Sequence, residues 1–314
     1  LILETPCGAI RGEARDGCRI FRGIPYASTP RFEKPVETVR WDGVLNAAES
    51  GAEVYQYGAF RGESTKIDQF YDREFRSDLR FTYTEEYVTL NIVAPENAEN
   101  CPALVFVHGG GHETGTVSEL PYGVCTEYAK HGVIFVSVGY RLNVFSLFRC
   151  KNLGLFDILT AFSWLRHNLP AFGGSGERVT AIGQSAGAMS ITDLCLSPLA
   201  EPYIGGAVLM SGGGAVPHLL RPCTKREADP YWDKVRTAAG AETDEELRQV
   251  PARTLWEAWY QVRSAERSLR LIQPGIDGEI IRGEPGRELR RGRSAANSLH
   301  FGRHLAGLHA RFRV

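Results

Sequence analysis

The sequence predicts an α/β fold in which a central, mostly parallel sheet is flanked by helices. Two observations carry this. From Val88 onward the apolar runs are continuous rather than alternating, as in strands covered on both faces. Between residues 155 and 210, strand-type and helix-type patterns then follow one another in turn, the signature of parallel strands joined by crossover helices.

In order, the first thirty residues alternate and break at Gly8, Gly12, Gly17 and Gly23, which predicts short hairpin strands. Residues 31–80 are polar and irregular, with Pro30, Pro35 and a mixed-charge run over 68–80, and read as surface loops. VTLNIVAP (88–95), ALVFV (103–107) and VIFVSVGY (133–140) read as strands. Leu155, Ile158, Leu159, Phe162, Leu165 and Leu169 recur at helical spacing before Pro170 and two glycines, which predicts a helix over 155–169. VTAIG (179–183) is a strand, QSAGAMSITDLCL (184–196) a helix and GAVLM (206–210) a strand. The polar, helix-patterned stretch within 215–270 reads as a cap-like excursion on a single domain spanning 1–314, and residues 289–314 as an atypical tail.

Composition narrows the function classes. With 314 residues, 43% hydrophobic and 23% charged, the chain is long enough to bury a large core without metal or disulfide staples. A formal net charge of -1 argues against a nucleic-acid partner. No apolar run approaches the roughly 18 residues of a membrane span. The seven cysteines have no CxxC spacing and read as mostly buried free thiols, which favours a cytoplasmic, reducing setting. LILETPCGAI lacks the basic and apolar regions of a signal peptide. Since Leu1 is not an initiator methionine, a removed leader and an alternative start codon both stay open.

Two motifs carry chemistry. Gly183-Gln184-Ser185-Ala186-Gly187 sits between a strand and a helix, the context of a nucleophile elbow, whose tight turn admits only small neighbours and lifts the serine hydroxyl above the sheet edge. His108-Gly109-Gly110-Gly111-His112 follows the ALVFV strand, and bare glycine N–H groups after such a strand build an oxyanion hole in lipases and esterases. HGGGH offers two histidines, but nothing ties them to a third ligand, so no metal site and no cofactor are expected.

These residues stand within a longer set of ordered segments: FRGIPYA (21–27), TEEYVTLNI (84–92), VFVHGGGHETGT (105–116), VSVGYRLNVF (136–145), the stretch 152–190, VLMSGG (208–213) and IDGEII (276–281). From about residue 2 to 288 the chain resembles the type-B carboxylesterase family, which includes cholinesterases and bacterial nitrobenzyl esterases. The resemblance implies an α/β-hydrolase fold and hydrolysis of small or medium neutral carboxylic esters through an acyl-serine intermediate. It assigns Ser185 as nucleophile and the N–H groups of Gly110, Gly111 and Ala186 as the oxyanion hole. Tyr87 stands where many extracellular members have a half-cystine, Gln184 where glutamate is commoner, and His112 where an aromatic residue is usual. The implied partner is a small-molecule ester, with no nucleic acid and no membrane; the oligomeric state is not read.

The triad histidine and acid are not assigned. A serine needs both, and in this fold they follow it along the chain. After Glu288 no acid remains, and the tail is rich in arginine and histidine. It shows no β-branched run for a central strand, so the sheet is expected to end on GAVLM, with its last strands missing. A frameshifted or abnormally terminated gene and a natural short variant are both consistent with this tail. His131 and His167 sit on elements packed against the sheet and read as satisfied structural residues, and His108 as part of the oxyanion turn. His218 opens the excursion, and His300, His304 and His309 share a helix-like spacing. Asp277 and Glu279 read as structural. The alternative to an active esterase is an inactive hydrolase-like protein or interaction module.

Overall fold

The computed structural model describes residues 1–56, 81–118, 124–213, 221–266, 268–285, 287, 299–302 and 310–312. The strands are β1 (Ile2–Thr5), β2 (Gly8–Arg11), β3 (Glu13–Arg15), β4 (Cys18–Ser28), β5 (Val36–Glu37), β6 (Val44–Asn46), β7 (Glu53–Val54), β8 (Tyr83–Thr84), β9 (Tyr87–Pro95), β10 (Cys101–Val107), β11 (Ile134–Val138), β12 (Gly174–Gln184), β13 (Gly206–Met210), β14 (Leu299–Gly302) and β15 (Ala310–Phe312). The helices are α1 (Thr126–Lys130), α2 (Asn143–Leu147), α3 (Leu153–Asn168), α4 (Ala186–Leu196), α5 (Lys225–Ala238), α6 (Asp244–Gln249) and α7 (Ala252–Glu266).

The main sheet runs in the order β15-β14-β13-β12-β10-β11-β9-β4-β3, with β5 added beside β4. Its middle, from β11 to β14, is parallel, and both flanks are antiparallel. The continuous apolar runs fall in the expected place. All five residues of β11 are buried, and so are seven of the nine in β9. The hairpins expected at the front are the antiparallel pairs β1–β2 and β3–β4. The expected helix over 155–169 is α3, ended by a 3-10 turn, Leu169–Phe172, with Gly173 left-handed at its end.

Three expectations are corrected. The sheet does not stop at GAVLM: β14 pairs parallel with β13, and β15 antiparallel with β14. Four residues suffice for the ladder because backbone hydrogen bonds, rather than β-branched side chains, extend it. His300 therefore lies on a strand, opposite Val208, and not on a helix. His131 and His167, expected as satisfied structural residues, are exposed at the surface: His131 ends α1, and His167 faces Glu37 across 3.5 Å. Within the segment read as loops, β5, β6 and β7 are short strands, and Glu53, Val54 and Gln56 are buried; the run 68–80 lies outside the described residues.

The expected helical excursion is α5, α6 and α7. Thr224 caps α5 through a capping box with Glu227, which the spacing TKRE already spells. Trp232, Trp259, Leu247 and Leu255 bury themselves against Phe145, Leu147 and Phe148 in a cluster separate from the one beneath the main sheet. Arg149 joins the two parts, with ion pairs to Asp229, Asp233 and Asp244 at 3.0, 2.6 and 2.8 Å. Among the described residues no helix is long and apolar enough to cross a membrane.

Candidate active site

Ser185 sits at the C-terminal edge of the parallel strands, where α/β sheets place ligands. β12 ends at Gln184 and α4 begins at Ala186, so one residue makes the whole reversal. Ser185 adopts φ 53° and ψ -121°, a conformation that costs a non-glycine residue about 1–3 kcal/mol and persists only where its surroundings impose it. Here they do. The Ser185 N–H donates to the Met210 carbonyl at 2.8 Å, and the Ser185 carbonyl accepts from Met189 at 3.1 Å. A Cβ at Gly183 would strike the Gly187 carbonyl, and one at Gly187 would strike that of Val107. Both glycines of GxSxG are thus required by close backbone approach.

The glycine turn lies alongside because β10 and β12 pair with Val107 opposite Gly183. A Cβ at Gly109 would come within 3.0 Å of Ser185 Cβ and 2.7 Å of Gln184 Oε1. Gly110 has φ +99°, and its carbonyl accepts from the N–H groups of Glu113 and Thr114, both at 3.1 Å. Gly111 has φ +66° and faces open space. None of the hydrogen bonds that fold this turn uses the Gly110 or Gly111 N–H as donor. Ala186, first residue of α4, belongs to the turn whose N–H groups have no intrahelical partner, at the end of the helix dipole that favours negative charge.

Residues the sequence reading passed over hold this turn in place. Tyr140 donates its hydroxyl to the His108 carbonyl at 2.8 Å and stacks on the imidazole, ring centroids 4.5 Å apart. Gln56 grips Gly115 from both sides, donating to its carbonyl at 2.6 Å and accepting its N–H at 2.9 Å. Tyr140 lies within the VSVGYRLNVF segment and Gln56 outside the family-like segments, and neither contact could be read locally, because each acts across a long stretch of chain.

The histidines near the site are committed to structure. His108 is buried, with Nδ1 2.8 Å from the Gly109 carbonyl, the geometry of a neutral ring donating from Nδ1. Burial lowers its pKa to about 4, against a smaller opposing effect of that hydrogen bond. His112 is buried too, with Nε2 3.1 Å from Ser190 Oγ on α4. Among the described residues no imidazole hydrogen-bonds the Ser185 hydroxyl. His218, His304 and His309 lie outside the described residues. Asp277 staples its own turn, accepting from the N–H groups of Glu279 and Ile281 at 2.8 and 2.9 Å and from Asn152 at 2.8 Å. Glu279 pairs with Lys34.

With the geometry in place, known proteins can be compared. Residues 1–302 match the Carboxylesterase family. The para-nitrobenzyl esterase of Bacillus subtilis (strain 168) is 30% identical over 96% of this chain and 62% of its own length. Gut esterase 1 of Caenorhabditis elegans is 34% identical over 68% of this chain and 38% of its own. Among solved structures, a thermophilic PNB esterase superposes with a TM-score of 0.83 at 29% identity, covering 96% of this chain and 62% of that one. A Geobacillus stearothermophilus carboxylesterase gives 0.79 at 30% identity, covering 96% and 60%. The chain thus spans less than two thirds of the length of these relatives. On sequence and fold together, the chain belongs to the carboxylesterase family.

Proposed function

We propose that the chain hydrolyses small or medium neutral carboxylic esters through an acyl-serine intermediate, with Ser185 as nucleophile. The observation that carries this is the left-handed Ser185 between β12 and α4, with Gly109 packed against it. A strained serine held at a sheet edge and a helix N-terminus has no packing purpose to justify its cost. In this reading Ser185 Oγ attacks the ester carbonyl, and the N–H groups of Gly110, Gly111 and Ala186 receive the oxyanion. The ester C–O bond then breaks to release the alcohol, and water frees the acid from the acyl-serine. Such a donor contributes about 3 kcal/mol to the transition state. The names of the relatives, esterases of bacteria and animals, support the reaction class.

The test is release of p-nitrophenol from its acetate and butyrate esters by the 314-residue chain beside Ser185→Ala. Turnover that depends on Ser185 is expected. Whatever survives in the variant measures the hole and binding alone, on the order of 10³–10⁴ over water. Equal rates in the two proteins would remove the acyl-serine route.

A further inference from the structure

Cys150 and Cys223 stand outside everything the ester chemistry uses. Cys150 ends the turn after α2, and Cys223 immediately precedes the cap residue of α5. Their sulfurs are 3.6 Å apart across 73 residues of sequence. Both are buried, at 5% and 2% exposure, and all seven cysteines are free thiols. The backbone around the pair is fixed. The Cys223 carbonyl accepts from Ile276 at 2.8 Å, and a Cβ at Gly275 would strike Cys150 Sγ. A disulfide needs its sulfurs about 2 Å apart, so closure asks for a movement of about 1.5 Å.

Two further features suit the pair to oxidation. Cys150 lines an open cavity of about 750 Å³, with Lys34, Arg149, Lys151, Asp244 and Asp277 on its walls, so a small polar oxidant can approach the pair from the Cys150 side. The S–H···S contact between the two sulfurs lowers the Cys223 thiol against its burial, with Arg270 adding to the effect. The same contact, together with burial, raises Cys150. Whichever sulfur of the pair is ionised is the nucleophile, and its neighbour is the resolving thiol.

We propose that Cys150 and Cys223 are a reversible redox pair that a hydroperoxide closes to a disulfide, fastening the helical excursion to the turn it packs on. One thiolate of the pair attacks one peroxide oxygen, the O–O bond breaks and hydroxide leaves, giving a sulfenic acid. The neighbouring sulfur then attacks the sulfenic sulfur, the S–O bond breaks, and the departing oxygen takes the thiol proton as water. Two thiols are oxidised by two electrons and one peroxide is reduced to two waters. A dithiol such as dithiothreitol reverses the bond by exchange.

The test treats the folded chain with hydrogen peroxide, blocks remaining thiols with iodoacetamide in denaturant and digests without reductant. The expected result is a peptide pair joined through Cys150 and Cys223, lost on dithiothreitol treatment. Tm should rise by about 4 °C or more on oxidation, and should not rise in Cys150→Ser or Cys223→Ser. Recovery of both cysteines blocked by iodoacetamide, or of either one as sulfinic acid with no linked peptide, overturns the proposal. The wild-type peptide map decides even where a serine variant does not fold.

Discussion

The backbone N–H of Ser185 donates to the carbonyl of Met210 at 2.8 Å, so the strand beside β12, and not only the elbow's own glycines, holds the serine in its left-handed conformation. The register that brings them together, Gln184 opposite Met210, continues through β13 to Gly302 of β14. Gly212 completes the clamp: a Cβ there would strike the Ser185 carbonyl.

The three glycines of the turn differ in what they tolerate. Gly111→Ala meets open space and bears only the left-handed cost, about 1 kcal/mol. Gly110→Ala adds a collision with the Thr114 carbonyl to the same kind of strain. Urea denaturation should show Gly110→Ala losing at least about 2 kcal/mol more than Gly111→Ala. Equal losses would mean the turn relaxes freely.

Gly109→Ala presses on Ser185 and Gln184 rather than on its own turn. It should lower kcat on p-nitrophenyl esters by about tenfold or more, with a smaller change in KM, since a small displacement of reacting groups has large consequences. A KM effect alone would place Gly109 in substrate binding instead.

His108 links stability to acid. Its folded pKa, about 4, lies below the ordinary 6.5, so between these values the unfolded chain binds a proton that the folded one refuses. The stabilisation is complete above about pH 6.5 and is lost as pH falls toward 4, to a total of about 3 kcal/mol. His108→Phe keeps a ring against Tyr140 and removes the titration. Chemical denaturation from pH 7 to 4 should show a shallower acid slope in this variant, and an unchanged slope would contradict the assignment.

Arg149 holds three carboxylates of the excursion at once. Its own side chain is largely covered while those of Asp229, Asp233 and Asp244 are about 36–49% exposed, so solvent weakens each pair. Arg149→Met should cost about 2 kcal/mol at low salt. The loss should shrink in 1 M salt, where screening acts within about 3 Å. A loss independent of salt would point to packing of the arginine stem.

The sequence revealed the parts of the fold that depend on local pattern. The buried strands, α3, the elbow and the glycine turn all follow from runs and spacings a few residues long. What it concealed depends on pairing at a distance. β14 is four residues with no strand-like composition, and the ladders to β13 and β15 make it a strand. The exposure of His167 could not be read because α3 is apolar around most of its circumference. Tyr140 and Gln56 reach the glycine turn from 32 and 59 residues away, and no local pattern shows that contact. Cys150 and Cys223 are separated by the whole of α3, β12, α4 and β13.

The most direct test of the site is covalent. A fluorophosphonate reagent attacks only a serine that is nucleophilic and whose developing oxyanion is held. Incubated with the folded chain, it should add one phosphonyl group, mapped by peptide mass spectrometry to Ser185 and absent from Ser185→Ala. A folded chain that stays unlabelled, or carries the label on another residue, would contradict the assignment of Ser185 as nucleophile.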